Sequence, residues 1–247
     1  MRVLRLIDAI PDATDFHEEL KLYKQYLLRV GEGKWSPPPG LGHVNMIEVP
    51  SHMVKDSRED DIDEVFSNLG NNIGHLFYFK SRAILAADNV IVNKTNIVMV
   101  HRLPGELHSC LNVDSVSNDD NRTIFPVEYF NTLEPSGLAE HELHLRVAVP
   151  IILLYNLNVK AGHNNGTRYI IKAIGKYRLI IEKLEADKDD EDKILLLPRI
   201  PIQYDPKDQP FFMKRLQFPR KLAFAITLKH SQGQSLEQAG VLILKSG

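Results

Sequence analysis

Cysteine is almost absent from this sequence: Cys110 is the only one in 247 residues. That excludes an internal disulfide and a cysteine-based metal cluster, and it fits a reducing compartment. Cys110 itself has a serine beside it but no local base, so it reads as a small buried residue. Long apolar runs are missing too. None approaches the length of a bilayer span, and the N-terminus lacks the apolar core of a secretory signal, so the expectation is an intracellular chain with no membrane contact. The sequons at Asn93, Asn121 and Asn165 then read as chance matches, because glycosylation needs a secreted context. His141 and His144, in HELH, lack the i, i+4 spacing of a helical zinc site. Also absent is a phosphate-cradling loop of the form G-x-x-x-x-G-K-[ST]. Gly31-Glu32-Gly33-Lys34 and Gly162 to Thr167 are the nearest glycine-rich stretches, and neither carries Lys-Ser/Thr at the required spacing.

What is present is a globular composition, 43% hydrophobic and 25% charged, long enough for one large or two modest domains. The net charge of -2 conceals a polarised chain. Residues 1–70 hold 8 Lys+Arg against 13 Asp+Glu, and residues 195–247 hold 8 against 3. Asp15 to Val30 reads as an amphipathic helix with Phe16, Leu20, Tyr23 and Leu27 on one stripe, stopped by Gly31 and Gly33. Lys34 to Gly42, with three successive prolines, is a connector. A short helix is expected around Ile62 to Leu69. Arg82 to Ala87 reads as a strand, and Asp88 caps a helix over Val90 to His101, which makes a strand-turn-helix unit of α/β type. Further on, Leu145 to Leu157, Tyr169 to Ile174, Tyr177 to Leu184 and Ile194 to Ile202 read as strands, with Asn165-Gly166 as a hairpin turn and Glu185 to Lys193 as a solvated tip. Short strands with such turns predict a small β-barrel beside the α/β part.

Two stretches carry candidate chemistry. Leu222 to Ile226 is a buried-strand pattern followed directly by Thr227, Ser231, Gln232, Gly233, Gln234 and Ser235, a polar loop at what would be the carboxyl edge of an α/β sheet, where ligands bind. Ser235 with Gln238 also makes a capping-box pattern, which would explain part of the same stretch as the start of a short helix. Just upstream, Lys214, Arg215, Arg220 and Lys221 surround Phe218, with Phe211 and Phe212 before them and no acid from Lys214 to Lys229. Cations interleaved with aromatics suit a groove for a nucleic-acid backbone with stacking platforms. The alternative is that the phenylalanines are core and the charges only face solvent.

At these residues a resemblance emerges. Arg199 to Leu236 resembles the C-terminal region of Pif-type superfamily-one DNA helicases, particularly those of Helitron-like transposons. The resemblance extends through Phe130 to Ile170, with its Pro-Ile, Leu-Leu, Asn-Leu and Asn-Gly-Thr-Arg landmarks, and reaches back to Arg82 to Asn89, Leu103 to Glu106, Leu27 to Gly33 and Met1 to Val3. It implies an α/β fold: a partial RecA-like second helicase domain, called 2A, with an inserted small SH3-like β-barrel, called 2B. The expected divisions are 1–70 and 71–126 for the first parts of 2A, 127–205 for 2B and its barrel, and 206–247 for the rest of 2A. The resemblance places Arg2, Gln232 and Gly233 toward a nucleotide. It places Thr227 and Ser231 in a motif that also borders the DNA groove; with the basic residues read above, the expected contacts to single-stranded DNA are Lys214, Arg215, Arg220, Lys221, Thr227, Lys229, His230 and Ser231. His230 stands where the family has lysine, Ala87-Asp88-Asn89 where it has Pro-Thr-Asn, and Tyr155 where it has arginine before Asn-Leu.

ATP and Mg²⁺ are the cofactors that the resemblance implies for a complete enzyme. The chain alone, without the phosphate-cradling loop or the metal carboxylates, is expected to bind neither tightly. Its expected partners are single-stranded DNA and a missing N-terminal helicase half; its expected location is the nucleus, in unwinding, recombination, repair or transposition. Met1 coincides with a methionine internal to the family, and the sequence stops before the family's last arginine-bearing motif, which together predict a truncated transposon-derived gene. A DNA-binding module that works without ATP and an inactive remnant are the rival readings.

Overall fold

A computed structural model describes residues 14–34, 49, 51, 54, 57–116, 127–133, 139–187, 189–204 and 213–242. The chain divides into two compact units, Met1–Asp56 and Ser57–Gly247. In the first, helix α1 spans Thr14–Gly31, close to the expected bounds. It ends because Gly33 takes a φ of 64°. That turn lets the Lys34 N–H reach the Arg29 carbonyl at 3.0 Å and the Gly33 N–H reach Val30 at 3.2 Å, the paired bonds of a Schellman stop.

The second unit begins with helices α2 (Arg58–Val65) and α3 (Leu76–Lys80), then strand β1 (Arg82–Ala86) and helix α4 (Asn89–Arg102). The Asp88 carboxylate accepts from the Val90 N–H at 2.7 Å, so the expected cap forms. Strands β2 (His108–Leu111) and β3 (Val113–Val116), helix α5 (Val127–Asn131), and strands β4 (Glu142–Leu145), β5 (Pro150–Leu153), β6 (Arg168–Ile174), β7 (Arg178–Lys183), β8 (Ile194–Pro198), β9 (Ile200–Tyr204) and β10 (Met213–Gln217) follow. The described chain closes with β11 (Arg220–Leu222), β12 (Ala225–Thr227), helix α6 (Leu228–Ser231) and β13 (Gln238–Leu242).

β1 lies between β12 and β13, and both pairings are parallel. These strands are short and rich in Ala and Ile, and Ala83, Ile84, Ala86, Ala225 and Ile226 are buried, as expected for a parallel sheet with covered faces. Close packing has a local requirement at Gly240, where a Cβ would come within 3.0 Å of Ile84 Cδ1 and 3.2 Å of Val65 Cγ2. Helix α4 fastens the sheet by Asn96: its amide donates to Leu222 O at 3.1 Å and Ala225 O at 2.9 Å and accepts from Ala225 N at 2.8 Å.

The remaining strands are antiparallel. β11-β5-β6-β7-β8 make a five-stranded sheet, β3-β10-β9 a three-stranded one and β2-β4 a pair. The expected barrel is not found among the described residues: these sheets are open. One reason is that two expected long strands are broken. Leu145 to Leu157 is interrupted where Ala148 adopts a φ of 66°, so β4 and β5 go to different sheets. Ile194 to Ile202 breaks at Arg199, sending β8 and β9 to different sheets. Asn165-Gly166 does not make a two-residue hairpin either; only Gly166 has positive φ, at 90°, and the turn closes a longer loop pinned by the bridge between Asn158 and His163.

The parallel sheet and the five-stranded sheet share one core, in which Ile84 and Phe224 belong with Ile151, Tyr169 and Leu179. Arg168, at the start of β6, joins them through main-chain acceptors. Its Nη2 donates to Phe79 O at 2.8 Å, Arg82 O at 3.0 Å and Ala223 O at 3.4 Å, and its Nη1 to Lys80 O at 3.2 Å. Burial lowers this guanidinium's pKa to about 10; it is charged throughout the neutral range, its two terminal nitrogens are partnered by these four carbonyls, and its Nε has no hydrogen-bond partner. Arg168→Met is expected to lower stability by about 2–5 kcal/mol, since it strands buried carbonyls, read as a fall in the urea midpoint. An unchanged midpoint would show that the joint carries no load.

A second buried polar group lies in the β5–β6 loop. His163 Nδ1 sits 2.8 Å from the Tyr169 hydroxyl. Burial and then the Lys183 cation hold its pKa below the usual histidine value, against the opposing Asp192 and Asp190. A depressed histidine pKa contributes stability that is whole above about pH 6.5 and is lost as pH falls from there toward the folded pKa. The melting temperature is therefore expected to drop between pH about 7.5 and about 5.5, and to drop less in His163→Gln, which keeps an amide for Tyr169 but takes no proton. Equal drops would assign the acid sensitivity elsewhere.

Candidate nucleic-acid interface

In the parallel sheet Ala86 is level with Thr227 on one side and Leu242 on the other. The carboxyl ends of the three strands therefore form one edge. From it rise the Asp88-capped start of α4 and the loop that follows β12, the edge of an open α/β sheet at which ligands generally bind. Thr227 serves as N-cap of α6: its hydroxyl oxygen accepts from the His230 N–H at 3.4 Å and lies 2.8 Å from His230 Nδ1. Ser231 Oγ donates to Leu228 O at 2.8 Å, and Gln234 Nε2 to His230 O at 2.9 Å. Gly233, with a φ of 86°, turns the chain back toward β13. The capping-box reading of Ser235 and Gln238 is corrected here. Gln238 opens a strand, and the helix in this region is the one that Thr227 caps.

Lys229 and Gln232 are exposed on this loop, and His230 and Ser231 half-buried. Burial lowers the His230 pKa, and the cations of Lys221 and Lys229 lower it further. His230 is thus neutral near pH 7, and two lysines stand close enough to act on it. Thr227, Lys229, His230, Ser231, Gln232 and Gly233 share the edge, with Lys221 beside them. Lys214 is exposed but lies on β10, in the separate β3-β10-β9 sheet. Arg2, Phe211 and Phe212 lie outside the described residues.

Two of the predicted DNA contacts face inward instead. Arg215 is fully buried, and it pairs across the sheet with Asp114 on β3. Its Nε donates to Asp114 Oδ1 and its Nη2 to Oδ2, each at 2.9 Å. The rest of the guanidinium donates to Phe130 O at 2.8 Å and to Leu133 O and Ala139 O at 3.0 Å. No donor is left for a phosphate. Arg220 is buried as well, with Nε and Nη2 unpartnered and its pKa lowered by burial to about 10. Phe218 is buried under the Arg199 guanidinium, 4.8 Å from its ring centroid, so it is core and no stacking platform. The reason is strand alternation: Met213, Arg215 and Gln217 point inward on β10 while Lys214 and Leu216 point out, and on β11 Arg220 points in while Lys221 is half-exposed.

Sequence reasoning passed over Asp114, because nothing local links it to a residue 101 positions away. Arg168 entered only as the last residue of a landmark. The fully buried run that it opens on β6 is the signal that it faces the core. Among the described residues no group of three or more His, Cys, Asp or Glu could hold a metal ion. Among the described residues, two clefts, about 300 Å³ beside Asp63 and Arg102 and about 340 Å³ beside Tyr78 and Arg82, are lined by none of the predicted site residues.

Asp114→Asn is expected to cost about 3–5 kcal/mol, because it leaves a buried guanidinium without its counter-charge. A urea melt of the variant that matched the parent would place Arg215 on the surface after all.

Residues 128–174 match the family model for the 2B domain of the DNA helicase Pif1; the stretch runs from α5 through β4 and β5 to the end of β6. No curated protein matches the chain. Among solved structures, Pif1 helicase from Candida albicans is 14% identical with a TM-score of 0.49, over 76% of this chain and 53% of that one. Pif1 helicase from Bacteroides in complex with ADP-AlF3 and ssDNA is 19% identical with a TM-score of 0.48, over 77% and 44%. Bacteroides sp Pif1 in complex with ADP-AlF4 is 16% identical with a TM-score of 0.46, over 90% and 44%. The chain spans about half the length of these proteins.

Proposed function

We propose that the chain is the C-terminal portion of a Pif-type DNA helicase, and that its part in unwinding is to hold one DNA strand at the carboxyl edge of the parallel sheet. The match of residues 128–174 to the Pif1 2B domain carries this reading. The geometry supports it with a polar loop at a sheet edge and two lysines, Lys221 and Lys229, around a neutral His230. In this role the lysines neutralise backbone phosphates, Thr227 and Ser231 position the loop, and Gln232 with Gly233 offers exposed backbone beside a nucleotide. ATP and Mg²⁺ belong to the complete enzyme. The residues of this chain do not fit them alone, since the sequence has no G-x-x-x-x-G-K-[ST] loop and the described residues offer no carboxylate cluster for a metal. An N-terminal helicase half would supply both. The finer placement, a Helitron-type enzyme of the nucleus acting in transposition, repair or recombination, rests on the resemblance of Arg199 to Leu236.

The missing phosphate loop favours one second reading, a module that holds single strands without ATP. Both readings require single-strand binding. They differ in whether the protein, joined to a half that carries the phosphate loop, gains DNA-stimulated ATP hydrolysis. Alone, the chain is expected to release no phosphate above background with or without DNA; release that Arg2→Ala abolishes would locate a complete nucleotide site here. Binding of a labelled oligonucleotide is expected to weaken with salt, log K falling by roughly 0.7 per phosphate contact for each tenfold rise in salt. Replacing Lys221 and Lys229 by glutamine should reduce that slope by about 1.4, and replacing the buried Arg220 should not act through the slope. A slope unmoved by the two lysine changes would sink the loop as a DNA contact.

A further inference from the structure

The hairpin between β6 and β7 ends in Gly175-Lys176-Tyr177-Arg178, and Tyr177 is 70% exposed. It is the most exposed phenylalanine or tyrosine among the described residues. The turn holds the ring there. The Gly175 N–H donates to Arg178 O at 3.0 Å, the Arg199 N–H donates to Tyr177 O at 3.4 Å, and a Cβ on Gly175 would stand 3.1 Å from Arg178 O, so the backbone is fixed on both sides of the tyrosine. Lys176 and Arg178 are exposed as well, with the Lys176 ammonium 5.2 Å from the Tyr177 ring centroid.

Along the chain, the charge on either side of this tip has one sign. From Leu143 to Ile181 the sequence contains no acid and six Lys or Arg. The first acid beyond, Glu182, is paired with Lys172 at 3.2 Å. The opposite end of the same sheet has the reverse sign: the β7–β8 connection, Glu185 to Lys193, holds six acids against two lysines. A polyanion is drawn to one end of the sheet and repelled from the other.

We propose that the β6–β7 tip is a second contact for single-stranded nucleic acid, separate from the loop after β12. The Tyr177 ring stacks on one base, and Lys176 and Arg178 take the phosphates on either side. Stacking on an exposed ring with flanking cations is tolerant of sequence, and with the backbone already fixed only side-chain freedom is lost on binding. The proposal rests on the single-strand reading given above, and it is tested so that the two can fail separately.

The measurement is fluorescence anisotropy of a short labelled oligothymidine titrated with the full chain, with circular dichroism to verify folding. Tyr177→Ala is expected to weaken binding about 5- to 100-fold, the loss of one base–aromatic stack. Tyr177→Trp should retain affinity and Tyr177→Leu should not, which separates stacking from apolar contact. Lys176→Gln with Arg178→Gln should reduce the salt slope by about 1.4. If Tyr177→Ala binds as the parent does while Lys229→Gln weakens binding, the tip is no contact and the loop reading stands. If Tyr177→Ala weakens binding and Lys229→Gln does not, the tip is upheld and the loop reading falls. A parent chain that binds no oligothymidine overturns both.

Discussion

A guanidinium buried against main-chain carbonyls holds the second unit in one piece. Arg168 takes acceptors from the end of α3, from β1 and from the link between β11 and β12, and no hydrogen-bonded carboxylate shares the site. Burying a charge without such partners would cost several kcal/mol, so these carbonyls must stay where they are for as long as Arg168 is inside. The consequence travels outward. Ala223, one of those acceptors, precedes β12 by two residues, and β12 ends in Thr227. The strand that leads into the loop of Lys229 and His230 is therefore anchored at its start, in part, by Arg168.

Arg215 is used in the same way in the three-stranded sheet, here with a carboxylate and three carbonyls. It fastens β10 to α5 and to the segment after it, which is part of the stretch that matches the Pif1 2B domain. Between them the two arginines tie that stretch to strands from both ends of the second unit. Arginine suits this task because its planar fork has five donors and is less strongly hydrated than an ammonium. The lysines of the same region, Lys214, Lys221 and Lys229, keep some or all of their surface in water. The basic C-terminal segment thus divides its charge into an inner, structural set and an outer set available to a polyanion.

Much of the local structure was legible in the chain. Gly33 as a helix stop, Asp88 as a cap and the strand at Arg82 follow from interactions within a few residues, and all of them form; the expected strand Leu222 to Ile226 is instead broken at Ala223 and Phe224, between β11 of the five-stranded sheet and β12 of the parallel one. The polar loop at a sheet edge was also legible, because a buried apolar strand leading into Thr, Ser, Gln and Gly has few other placements. The broken strands were not. Leu145 to Leu157 is uniformly apolar, and only packing against two different sheets decides that the backbone turns at Ala148.

What the sequence by itself determined is therefore the set of elements, the polarised charge and the loop that carries the candidate site. Tertiary structure alone decided which cations belong to that site. Arg215 and Lys214 are neighbours with the same formal charge, and alternation along β10 requires only that they face opposite ways. Which face is inside depends on Asp114, a hundred residues earlier and opposite Arg215 in the register. A local pattern contains no information about a partner at that separation, because the pairing exists only once β3 and β10 are side by side.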